Sequence, residues 1–221
     1  CGLGREAPRT YAKRYFYPKQ GIGQIFEYIA REIKQNGGNI ILNARFKKLL
    51  LEGDRAKGVI YELNGKDQVI NCDWVISTIP VTDLICMPDR GVGYQDVSTA
   101  ISSLRYRSLR FLNILIDKAE IGRNTWTYIP DGKYIMTRIQ EPNKRSPHNA
   151  PDGKTSLMLE IPCSYKGEIW NMQDDLLFSR CIDDLFKLGI DIKDRVIDYF
   201  YTAERHAYPI YHLDYKHHLN N

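Results

Sequence analysis

Apolar residues along this chain change their spacing several times, and each change marks an element. Ile25, Phe26, Ile29, Ala30 and Ile33 recur at helical spacing. They predict an amphipathic helix opened by Gly21-Ile22-Gly23 and stopped by Gly37-Gly38. The β-branched run Asn39-Ile-Ile-Leu-Asn43 reads as a buried strand. Phe46–Leu51, Ala56–Leu63 and Gln68–Asn71 read as a three-strand meander, with turns at Gly53-Asp54 and Asn64-Gly65. In Cys72-Asp-Trp-Val-Ile-Ser-Thr-Ile-Pro80 the stretch Trp74–Ser77 predicts a fully buried strand that Pro80 ends. Residues 81–96 carry Pro88, Gly91 and Gly93 and read as a crossing between layers, with a short helix over Val97–Leu104.

From Arg105 the texture turns to strands: Leu109–Ile116, Trp126–Ile129, Ile135–Gln140, Thr155–Ile161 and Val196–Ala203. Loops rich in Pro, Asn, Lys and Gly separate them, above all Glu141–Lys154. One helix interrupts the series. Asn171 is its expected cap, Asp174 and Asp175 suit its first turn, Leu177, Cys181, Leu185 and Leu188 form its apolar face, and Gly189 ends it. The fold class expected is α+β. Residues 1–16 form a loop or tail, 17–94 a partial α/β layer, and 95–221 an antiparallel-sheet domain with flanking helices.

Composition narrows the function classes. A 221-residue chain with 43% hydrophobic residues can bury a real core. Its net charge of +4 is small, and basic residues alternate with acidic ones, which argues against a dedicated nucleic-acid binder. No apolar run approaches the length of a transmembrane helix, about 18 residues, and no signal peptide is visible. The five cysteines are far apart and odd in number, which fits reduced, buried thiols in a cytoplasmic protein. His206, His212, His217 and His218 lack ligand spacing, so no metal is expected. The first residue is Cys rather than Met, which fits a segment of a longer protein and equally a processed chain.

Turn, helix and apolar run over residues 17–43 follow the plan of a nucleotide-binding layer. Yet Tyr17-Pro18-Lys19 precedes the glycines where a strand should lead in, and Phe26 stands in place of the third glycine. The stretch therefore reads as a secondary piece of such a layer.

Taken together, Phe16-Tyr-Pro-Lys-Gln-Gly-Ile-Gly-Gln-Ile, Asn43-Ala-Arg-Phe46 and Asp73-Trp-Val-Ile-Ser-Thr-Ile-Pro80 resemble the middle of flavin-dependent amine-oxidase-like proteins. That group includes protoporphyrinogen oxidases and, more distantly, UDP-galactopyranose mutases. Leu104-Arg-Tyr-Arg-Ser-Leu, Trp126-Thr-Tyr-Ile-Pro and His206-Ala-Tyr-Pro-Ile-Tyr are similar to a bacterial branch associated with surface-polysaccharide and lipopolysaccharide biosynthesis. The resemblance runs from about Tyr15 to Tyr215. It implies the central segment of an FAD-dependent oxidoreductase in a bacterial cytoplasm, without the amino-terminal pyrophosphate grip or the carboxy-terminal glycine-rich segment. Such a segment is expected to bind FAD poorly and to be inactive alone.

The resemblance also assigns residues. Lys19, Gly21 and Gly23 would approach the flavin or its phosphates, Phe46 would pass the adenine, and Thr78, Ile79 and Pro80 would lie near the pyrophosphate and ribityl chain. The bland alternatives are a helix start, a core phenylalanine and a strand end. Arg105, Tyr106 and Arg107 form a cationic, aromatic cluster suited to a carboxylate, a phosphate or a nucleotide-sugar. Trp126, Tyr208 and Tyr211 suit a sugar or flat-ring pocket. Here the alternatives are surface charge along a strand edge and ordinary core packing. The catalytic residues stay unassigned. A stand-alone module for a nucleotide-sugar or glycan is the competing function, and exposed sheet edges leave self-association open.

Overall fold

The computed structural model describes residues 15–53, 55–85, 101, 103–213 and 216. Their elements run α1 (Gly23–Gln35), β1 (Arg45–Glu52), β2 (Arg55–Leu63), β3 (Lys66–Asn71), α2 (Val81–Ile85), β4 (Tyr106–Ile116), β5 (Trp126–Tyr128), β6 (Arg138–Gln140), β7 (Thr155–Cys163), α3 (Glu168–Asn171), α4 (Asp174–Lys187) and β8 (Val196–Pro209). The α+β class is as expected from the pattern. The strands form a three-stranded sheet in the order β1-β2-β3 and a five-stranded sheet in the order β5-β6-β7-β4-β8.

The chain divides into two compact units. The first takes residues 1–36, 111–161 and 174–202, and the second takes 37–110, 162–173 and 203–221. In the second unit β1, β2 and β3 pair antiparallel, with Tyr61 facing Phe46 on one side and Gln68 on the other. Asn64 and Gly65 both take positive φ, +52° and +74°, the conformation that a tight two-residue hairpin turn demands. Gly58 is there for space, because a Cβ on it would sit 2.5 Å from the carbonyl oxygen of Ile70.

Most of the core lies in the first unit. Leu112, Ile114 and Ile116 of β4, Leu157, Leu159 and Ile161 of β7, and Met136 are buried together with Leu177, Cys181 and Leu185 of α4. Each such side chain contributes about 1.5–3 kcal/mol on leaving water. Helix α4 closes as foreseen at Gly189, whose φ is +81° and whose N–H donates to the Phe186 carbonyl. Its start differs from expectation. Asn171 ends the short helix α3, Met172 is extended at φ −63° and ψ 136°, and α4 begins at Asp174.

Two expected strands do not form. Residues 39–43 and 74–77 lie outside both sheets, and Trp74 and Ile76 are 89% and 93% exposed. A buried strand needs a neighbour for its backbone groups. No strand among the described residues pairs with either run. The strand Val196–Ala203 instead runs on to Pro209, absorbing part of the expected tail. The short helix over Val97–Leu104 falls largely outside the described residues.

Candidate functional site

In the first unit a short antiparallel ladder arranges one polar, aromatic face. Trp126 faces Gln140 and Tyr128 faces Arg138 across β5 and β6, and Arg138 faces Glu160 across β6 and β7. Side chains two apart on a strand share a face. This register therefore places Trp126, Tyr128, Arg138, Gln140 and Glu160 on one side, while Ile139 turns to the core.

Glu160 is only 5% exposed, and its carboxylate is satisfied twice. Arg138 Nη2 forms an ion pair with its Oε1, and Gln140 Nε2 donates to the same oxygen at 2.8 Å. A buried carboxylate persists only when paired in this way. Arg138 also lies over the Tyr128 ring, 5.7 Å from its centre.

The loop after β6 folds back over this face. Two 3₁₀ turns shape it, Pro142–Lys144 and Pro147–Asn149. Buried Glu141 anchors its base by accepting from Ile121 N–H, Gly122 N–H and the Thr155 hydroxyl. Arg145 is thereby held with its guanidinium 5.6 Å from the Trp126 ring centre and 5.9 Å from that of Tyr17. Its Nη2 donates to Gln140 Oε1. Ser146 Oγ donates to the Lys19 carbonyl at 2.5 Å, which lays the 17–23 segment against the same loop. Gly21 has φ +95°, which favours glycine, and a Cβ there would meet Asn149 Oδ1 at 3.5 Å.

The second unit holds another cluster. Asp83 of α2 stands 3.6 Å from both Arg205 Nη1 and His206 Nε2. The Tyr106 ring meets the His206 ring edge-on at 4.9 Å, and Arg205 lies over Tyr165 at 4.5 Å. Arg105 and Arg107 are exposed on alternate positions beside half-buried Tyr106. Tyr208 and Tyr211 are exposed as well. Buried Arg110 instead serves the fold by donating to the carbonyls of Ile169 and Met172. Burial pushes the Cys163 thiol up, against the opposing charges of Arg110 and Arg107, so this cysteine stays protonated and is no nucleophile at neutral pH.

The expected cofactor residues therefore divide. Lys19, Gly21 and Gly23 lie in the first unit, while Phe46, Thr78, Ile79 and Pro80 lie in the second. Phe46 is half-buried beside a bulge in β1. The expected substrate residues divide too: Trp126 belongs to the first unit, and Arg105, Tyr106, Arg107, Tyr208 and Tyr211 to the second. Tyr17, Arg138, Gln140, Arg145 and Glu160 were not foreseen. The available signal was an Arg-Ile-Gln alternation at 138–140 and a glutamate set inside the apolar run Ser156–Ile161.

Ser77 and Thr78 are exposed just before α2, where Ile79 N–H is turned to Ser77 Oγ at 3.3 Å. The Thr82 hydroxyl, two residues beyond Pro80, is buried with no hydrogen-bond partner among the described residues. An orphaned hydroxyl of this kind fits a polar group arriving at this segment. The segment before α1 is a turn, with no strand leading into it. The described residues thus fit a contact with part of a dinucleotide but not its pyrophosphate cradle. Among the described residues no cluster has the makings of a metal site, and no helix is long and apolar enough to cross a membrane.

A family model for flavin-containing amine oxidoreductases matches residues 5–217. No curated protein sequence matches the chain. Among solved structures, reduced UDP-galactopyranose mutase superposes with a TM-score of 0.77 at 19% identity, covering 92% of this chain and 43% of that one. A protein described as a putative protoporphyrinogen oxidase from Exiguobacterium gives 0.65 at 16% identity, with 91% and 42% covered. A putrescine oxidase variant gives 0.57 at 12% identity, with 86% and 41% covered. The chain thus spans about two fifths of the length of these structures, and the likeness concerns their fold.

Proposed function

The chain belongs to the flavin-containing amine oxidoreductase family, and we propose that it supplies the substrate-facing sheet and one part of the flavin layer of an FAD-dependent oxidoreductase. FAD is the cofactor that goes with this family and fold. When bound, it supplies the hydride or electron chemistry, and the protein supplies position and electrostatics. On this reading Ser77, Thr78 and Thr82 offer hydroxyls to the cofactor, and Ile79 and Pro80 hold the backbone turn between them. Lys19, Gly21 and Gly23 approach it from the loop that Ser146 pins, and Phe46 passes its adenine.

The exposed runs at 39–43 and 74–77 and the apolar face of α1 are the surfaces that further parts of a flavin domain would cover. The same exposed surfaces would otherwise favour self-association. The substrate is a small molecule, with an anionic compound such as a nucleotide-sugar as the finer reading. A role in surface-polysaccharide or lipopolysaccharide biosynthesis in a bacterial cytoplasm is the finer reading that goes with the motifs at 104–109, 126–130 and 206–211. The observation that carries the proposal is the family match across residues 5–217.

Titrating the 221-residue chain with FAD, read by flavin fluorescence, tests it. Weak binding is expected, weakened further by Thr78→Val and Thr82→Val. Tight stoichiometric flavin would show that the chain carries its own pyrophosphate cradle. Weak binding indifferent to both substitutions would remove the 77–82 segment from the site.

A further inference from the structure

We propose that Arg145, held by Gln140 beside the rings of Tyr17 and Trp126, forms a binding subsite for an oxyanion carried on a flat ring. The inference deepens the reading above by naming the substrate class, and it rests on that reading only for calling the ligand a substrate.

Buried Arg110 is held by the carbonyls of Ile169 and Met172, and Arg138 finds a carboxylate partner in Glu160. Arg145 has none: among the described residues its side chain meets the Gln140 amide oxygen and two aromatic rings. Its charge is therefore held in place but not neutralised. The holding is a relay of fixed groups. Glu160 is buried and fixed by Arg138, Gln140 Nε2 is fixed by Glu160, and Gln140 Oε1 fixes one edge of the Arg145 guanidinium. Two ring centres lie 5.6 and 5.9 Å from its guanidinium carbon. Ordering a long side chain costs about 2 kcal/mol of rotamer freedom, a cost this frame has already met before any ligand arrives.

Only one of the guanidinium nitrogens is engaged by Gln140, so a fork of N–H donors remains for a phosphate or carboxylate. Trp126 is 43% exposed, and Tyr128, on the same face two residues on, is 63% exposed. Side chains so spaced lie about 7 Å apart. A ring attached to the anion would thus find an indole face beside the guanidinium. The more obvious basic cluster lacks this frame: Arg105, just before β4, and Arg107, on it, are exposed, and among the described residues neither has a ring over its guanidinium.

The test is a titration of the flavin-free chain with phenyl phosphate, benzoate and inorganic phosphate, followed by tryptophan fluorescence. At least one ring anion should quench saturably, at least about tenfold more tightly than inorganic phosphate. Whichever anion binds identifies the oxyanion. Arg145→Gln should weaken that binding by about tenfold or more, Arg145→Lys should fall between, and Trp126→Phe should remove the quench. A urea midpoint unchanged in Arg145→Gln shows that the fold survives. Equal affinities in the native chain and Arg145→Gln would overturn the proposal. So would inorganic phosphate binding as well as the ring anions, or no binding by about 10 mM. With no flavin present, failure here leaves the FAD titration standing, and failure there leaves this one.

Discussion

Helices α1 and α4 carry the same kind of apolar stripe, yet they meet opposite fates. Both belong to the first unit. In α4 the residues Leu177, Cys181, Ile182 and Leu185 are buried, whereas α1 buries none, and Ile25, Phe26, Ile29 and Ile33 all stay exposed. Periodicity states which face of a helix seeks cover, but not whether the same chain provides it. Where cover exists, a stripe stabilises the fold; where it does not, the stripe is a surface awaiting something.

The largest effect separates the two helices directly. Leu185→Ala in α4 removes a fully buried side chain and should cost about 3–4 kcal/mol in urea unfolding. Ile29→Ala in α1, a comparable change on an exposed stripe, should shift stability by no more than about 0.5 kcal/mol. Similar losses from the two substitutions would mean that α1 is covered in solution, for instance by a second copy of the chain.

The same contrast applies to charge. Glu160 is buried, and Glu160→Gln would leave Arg138 facing an amide. The expected loss is about 1–3 kcal/mol, because a charge-assisted hydrogen bond to a buried carboxylate is replaced by a weaker neutral one. The exposed pair of Lys47 with Asp67, 2.7 Å apart, is the control. Water screens it, and Asp67→Asn should leave the urea midpoint unmoved within error. A loss from Asp67→Asn equal to that from Glu160→Gln would show that burial is not what distinguishes the two.

These contrasts also mark what could be read from the sequence. The meander with its Asn64-Gly65 turn, the end of α4 at Gly189 and the strands Leu109–Ile116 and Thr155–Ile161 follow from local rules, because their partners lie within the chain. Residues 39–43 and 74–77 carry the signature of buried strands but lie unpaired and exposed, since a run of β-branched residues states a need rather than its fulfilment. The Arg145 clamp was illegible for a different reason. It joins Tyr17, Trp126 and Arg145 across more than a hundred residues: the pairing of β5 with β6 brings Trp126 to the loop of Arg145, and the Ser146–Lys19 hydrogen bond brings the segment of Tyr17. The flavin family was legible because it is carried by ordered motifs rather than by contacts.

The smallest effect concerns how α4 is tied down at its start. Tyr199 of β8 stacks on Phe178 with ring centres 3.9 Å apart, and its hydroxyl donates to Asp175 in the first turn of the helix at 2.5 Å. That hydrogen bond, aided by burial and by the charges of Asp175, Asp174 and Asp198, raises the Tyr199 phenol above its ordinary value. A raised value means that the folded chain holds this proton more tightly than the unfolded chain does. The contribution is therefore complete below the unfolded phenol's value of about 10, and it disappears as pH rises through the folded one. The informative quantity is the difference between the native chain and Tyr199→Phe. Urea midpoints should differ by a constant amount from neutral pH to about pH 9, with the native chain the more stable. The gap should then narrow at higher pH as the native chain loses the bond. A gap that stays constant through the alkaline range would show that Tyr199 holds α4 by stacking on Phe178 alone.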